Sequence, residues 1–261
     1  MTKLFATWCD HDNSERGLKR YLKLTEKKGG RAAVLDNLGE TVRSHYERLD
    51  RIADDVSQLG FEGAAAILKE ILPTTSRARS GDLGEILASE LTEELLEFEV
   101  PVRRMRFKDG RENPMRGDDF IGVNFCADDD GLWLLKGEAK SRGTLNKATI
   151  TEAREALQRH EGRCTPMSLL FVANRLLESE DSDKAALGRL IRNEVGRKAL
   201  AKHRIDHALF TLSGNGPVPA LMEDFEAAEA GRGHAVINLH VEDYATFIEA
   251  IFTQAADLGD G

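Results

Sequence analysis

LWLLKGEAKSR, Leu132 to Arg142, opens on an apolar run and closes on charge. A short apolar run entered through Asp-Asp-Asp-Gly (128–131) predicts a strand over residues 132–139. Side chains two apart on a strand share a face. Glu138 and Lys140 therefore stand side by side at the strand's end, where a cleft can reach them. Upstream, Gly117-Asp118-Asp119 precedes a second predicted strand, 120–125. Pairing of the two as a hairpin would bring an aspartate to Glu138, and the residues alone barely separate Asp118 from Asp119. Before them, residues 82–97 read as a helix with Leu83, Ile86, Leu87, Leu91 and Leu95 on its apolar side, and Glu85 follows Gly84 on it.

These residue types suit phosphodiester hydrolysis. A hard divalent cation, Mg²⁺ or Mn²⁺, takes oxygen ligands and keeps waters, so a few carboxylates suffice. Asp119 and Glu138 are the expected ligands, with the backbone carbonyl of Ala139; Glu85 would position a water or a second ion. Lys140 would orient or deprotonate the attacking water and counter developing negative charge. Glu-x-Lys alone is a weak pattern, since Glu26-Lys27-Lys28 matches it with no strand in front. The context discriminates: an apolar strand leading into Glu138, and Gly-Asp-Asp opening the strand before it.

The formal net charge of -9 argues against a general nucleic-acid binder. Basic residues are nonetheless concentrated mid-chain. Arg103, Arg104, Arg106 and Arg116, with Arg142 and Lys147 after the motif, are candidates to hold a DNA backbone by sequence-independent contacts. The three cysteines contain no CxxC, there is no apolar leader, and no run is long and apolar enough to span a bilayer. A cytoplasmic protein without a membrane partner is expected. His203 and His207 lack an evident third ligand and are not read as a zinc site.

Residues 1–76 read as an N-terminal helical region, with helices over 14–28, 32–59 and 62–72, and 74–81 as the linker to the main domain, 77–261. A strand is expected over 98–107 from its alternation, a helix over 149–160 capped by Thr149 or Thr151, and a buried strand over 168–173 (SLLFVA). Helices near 184–200 and 220–230, strands near 208–212 and 235–241, and a last helix to about 256 complete the chain. The fold class is α/β.

SGDLGEILASEL (80–91), RGDDFIGV (116–123) and LWLLKGEAKSR (132–142) together resemble the HamA nucleases of the Hachiman anti-phage defence system, over most of the chain. The resemblance implies a restriction-endonuclease-like core (helix, three strands, helix, strand) of the PD-(D/E)xK superfamily. It also implies a HamB-like helicase partner that restrains the nuclease until infection, and DNA as substrate. Glu85, Asp119, Glu138 and Lys140 are the implied catalytic set; Asp119 is favoured because the family's aspartate stands two residues after a glycine, here Gly117. The proline that usually precedes the superfamily's aspartate is missing. The alternative is a catalytically decayed DNA-binding or assembly subunit.

Overall fold

CDHDNSER and KRYLKLTE turn back on each other at Gly17-Leu18. In the computed structural model, which describes residues 3–125, 131–197 and 200–259, a short helix α1 (Leu4–Trp8) leads into this hairpin, β1 (Cys9–Arg16) and β2 (Lys19–Glu26). The helix expected over 14–28 is thus corrected to a strand pair. Tyr21 is buried with one core group, and Leu22 and Leu24 with another. Alternating burial on both faces is what an interior strand offers, and sheet pairing overrides the helix propensity of the lysines and glutamates.

Next come α2 (Gly30–Tyr46), α3 (Leu49–Ile71) and α4 (Ser76–Leu95). The helices expected at 32–59 and 62–72 are divided differently: α2 ends at Tyr46, and α3 runs on through a non-helical Gly60. The stretch 74–81 is no linker, because Thr75 accepts a hydrogen bond from Ala78 N and starts α4 there. β3 (Phe120–Phe125) and β4 (Leu132–Arg142) follow, then α5 (Lys147–Gln158), α6 (Pro166–Leu177), α7 (Ser182–Arg197), β5 (Ile205–Ser213), α8 (Pro219–Ala227), β6 (His234–His240) and α9 (Tyr244–Ala256). Asn146, not a threonine, caps α5. Two expected strands are corrected. Residues 98–107 keep only a bridge between Glu99 and Val123 before a 3-10 turn, Arg104–Phe107. SLLFVA belongs to α6, where Thr165 caps Ser168 N and Pro166 occupies the first turn. Of the turn expected at 128–131, residues 128–130 lie outside the described residues.

The sheet order is β1-β2-β6-β5-β4-β3. β2, β6, β5 and β4 run parallel, with an antiparallel strand on each flank. Parallel strands need cover on both faces. One face packs on α1, α2, α4 and α9 through residues such as Trp8, Leu38, Leu87 and Phe252. The other packs on α5 and α8 in the middle and on α6 and α7 beside β3 and β4. Among the described residues no helix is long and apolar enough to cross a membrane.

Candidate active site

The site arises where the β3–β4 hairpin stops pairing. Phe120 sits opposite Gly137, and beyond it β4 continues to Arg142 without β3 beside it. Gly137 permits this closure: a Cβ there would lie 2.2 Å from the Phe120 ring. Past that point Asp119 Oδ2 accepts a hydrogen bond from Ala139 N at 2.8 Å. The N–H and C=O of one strand residue face the same edge, so the Ala139 carbonyl also faces Asp119.

Glu138 pairs with Leu209, which packs against α5, whereas Ala139 pairs with Phe210 on the α4 side. Glu138 and Lys140 therefore share the α5 face, and Lys140 Nζ donates to Glu138 Oε1 at 2.7 Å. Glu85 comes from α4 on the opposite face. The two faces meet at the edge of β4 that β3 leaves unpaired, where the charge of Asp119 reaches both Glu138 and Glu85.

Asp118 goes elsewhere. It is buried, its Oδ2 accepts from Thr165 N at 2.7 Å, its Oδ1 lies 3.6 Å from Lys136 Nζ, and its own N donates to Ser168 Oγ at 2.9 Å. Gly117 makes the divergence possible: its φ is 100°, and a Cβ there would lie 2.3 Å from Ser168 Oγ. The geometry thus separates two aspartates that the sequence pattern barely could.

Three carboxylates crowd this edge with few cations. Burial, then the charge of Asp119, pushes Glu138 up to about 7, against the lowering effect of Lys140. Glu85 is raised well above the usual carboxylate range by burial and then by Asp119, with Arg104 opposing. Asp119 is raised by burial despite its bond from Ala139. Lys140 is raised: burial favours the neutral amine, but Glu138 outweighs it, so the ammonium is kept. Carboxylates held above their normal range are what a cation would relieve.

The donors, carboxylate oxygens and a carbonyl, are hard ligands of the kind Mg²⁺ and Mn²⁺ select. As they stand, no three His, Cys, Asp or Glu side chains among the described residues are gathered closely enough to hold an ion. Asp119, Glu138 and the Ala139 carbonyl would be the holders, with waters completing the shell. An apolar cavity of about 640 Å³ lies apart from this edge, lined by Leu134, Cys164, Leu169 and Ile191 among others, and none of the four site residues lines it.

The expected DNA-binding residues divide. Arg116 and Arg142 are exposed, and Lys147 is exposed in an ion pair with Glu223. Arg103 is tied to Glu90 and Glu93, and Arg106 donates to Ser44 O at 3.0 Å. Arg104 turns inward to the carbonyls of Arg116, Asp118 and Asp119. Sequence reasoning missed Lys136, buried with Asp118 and bonded to Arg159 O at 3.0 Å. Its position two before Glu138 on the strand was the available signal. His207 is buried on β5 and faces Gly162 O, away from any metal role.

Among the described residues, a mixed six-stranded sheet, clad by helices on both faces and carrying Glu85, Asp119, Glu138 and Lys140 at its open edge, defines an α/β protein with a polar site. The chain belongs to the HamA family, whose model matches residues 2–255. It is also similar to the Hachiman protein HamA of Bacillus cereus, 25% identical over 257 residues, which cover 96% of this chain and 90% of that protein.

Proposed function

We propose that this chain is a metal-dependent DNA nuclease of the PD-(D/E)xK kind, with a restriction-endonuclease-like core, acting as an effector of Hachiman anti-phage defence under control of a HamB-like helicase. The observation that carries the reading is the Asp119 carboxylate bonded to Ala139 N, beside the Glu138–Lys140 pair. The name of the Bacillus cereus relative supports the defence assignment.

Asp119, Glu138 and the Ala139 carbonyl would hold Mg²⁺ or Mn²⁺. Such an ion supplies charge neutralisation at the phosphate and a lowered pKa for water. The chain's own residues do the rest. Lys140, kept as an ammonium beside Glu138, orients the attacking water and offsets negative charge growing on the phosphate. Glu85 faces the same edge and would position a water or a second ion. Arg116 and Arg142 hold the DNA backbone from the surface.

The test compares wild type with Glu138→Ala and Lys140→Ala on plasmid DNA with Mg²⁺ or Mn²⁺, and for phage protection in cells carrying the helicase. Activity or protection lost in both variants is expected. Cleavage retained by both would remove the site assignment.

A further inference from the structure

Arg104 carries the opposite role to the one its charge suggests. Its side chain is only 10% exposed. Nη1 donates to Asp119 O at 2.5 Å and to Asp118 O, Nη2 donates to Arg116 O at 3.0 Å, and Nη1 stands 3.5 Å from Glu85 Oε2. Buried Val102 and Met105 anchor the chain on either side of it. A guanidinium gripping three carbonyls and a carboxylate is not presented to a phosphate.

The segment it grips leads into β3 without belonging to a strand. Buried carbonyls without ladder partners must find donors elsewhere. One planar fork satisfies those of Asp118 and Asp119, reaches the exposed Arg116 carbonyl, and stands beside Glu85 of α4. A lysine, with a compact ammonium, cannot reproduce that fork.

We propose that Arg104 is a positioning residue that fixes the backbone of Asp119 relative to Glu85, and that it makes no contact with nucleic acid. This rests on the nuclease reading of the same edge. Arg104 sets where the Asp119 carboxylate stands, and so whether it and Glu138 can serve one ion.

The test uses the full chain with Arg104→Ala and Arg104→Lys, reading Mn²⁺ affinity by calorimetry, duplex affinity in EDTA, and kcat against KM for plasmid cleavage. Loss of an outer-shell support costs about 10- to 100-fold in metal affinity or activity. Both variants are expected to show such a loss in Mn²⁺ affinity and kcat, with duplex affinity unchanged. Retained charge should not rescue Arg104→Lys. A phosphate contact gives the reverse: duplex affinity and KM worsen, Mn²⁺ affinity holds, and lysine largely rescues, which overturns the proposal. Wild type that neither binds Mn²⁺ nor cleaves removes the nuclease reading and this proposal with it. Should neither variant fold, the Arg104 Nε–Hε NMR signal of wild type decides: it is expected to move with Mg²⁺ and stay still with duplex in EDTA, and the converse overturns the assignment.

Discussion

On α8, Asp224 meets Arg154 through hydrogen bonds of 2.7 and 2.6 Å, with His234 beside them. Burial raises its carboxyl, but Arg154 and His234 win and bring it down to about 2. On the same face of the sheet, Glu138 has Lys140 at 2.7 Å and is nevertheless driven up to about 7. The difference is the company. Asp224 faces the Arg154 guanidinium, whereas Glu138 shares its edge with Asp119, and Asp119 in turn with Glu85. A matched ion pair finishes its electrostatics inside the fold. An unmatched cluster leaves a cost that a bound cation removes.

The largest expected effects pull the two regions apart. Glu138→Ala and Lys140→Ala should lower plasmid cleavage by on the order of 10²–10⁴-fold, with thermal unfolding close to wild type. Asp224→Ala should do the opposite, destabilising by about 3 kcal/mol in urea unfolding because Arg154 is left buried without its partner, while the folded fraction still cleaves. Equal loss of cleavage in all three would erase the distinction. The contrast should repeat between neighbours: Asp119→Asn removes Mn²⁺ binding at nearly wild-type stability, and Asp118→Asn loosens Lys136 and Thr165 and lowers stability. Calorimetric Mn²⁺ titration and melting curves read both.

The pH dependence has a definite sign. Glu138 sits at about 7 in the fold against an ordinary 4.5, so between those values the folded chain holds a proton the unfolded chain has released. Its stabilising contribution is full below 4.5, falls through that window and is gone above 7. Glu138→Gln should therefore raise the melting temperature more at pH 8 than near pH 4.5, and metal affinity of wild type should weaken as pH falls below about 7. A flat affinity profile would count against Glu138 as a ligand. The smallest effect belongs to the surface: Arg116→Ala and Arg142→Ala should each reduce the salt dependence of duplex binding by about one in log–log slope.

Much of the candidate site's placement was legible because it depends on short-range pattern. The strands 120–125 and 132–139, and the shared face of Glu138 and Lys140, follow from alternation and an apolar run, and both strands are present. Strand 120–125 matches its bounds, and β4 extends three residues further. What failed depended on distant partners. KRYLKLTE looks helical until β6, more than two hundred residues on, pairs with it. SLLFVA suits a buried strand by composition, although Thr165-Pro166 before it was a helix start written in the sequence. The mid-chain arginines read as a DNA patch because charge is visible in a sequence and its burial is not. Arg104 shows the cost of that blindness.

The strand order has a consequence in time. β2 lies between β1 and β6, so residues 19–26 find their parallel partner only after 234–240 have left the ribosome. β5, which flanks β4, is braced by the same late strand. Long-range pairing of this kind is slow and comes last. A nascent chain stopped before His234 should therefore show the N-terminal hairpin open to proteolysis and the β4 edge unbraced. For the nuclease proposed above, synthesis itself would then act as a safety catch, delaying DNA cleavage until residues 234–240 have emerged.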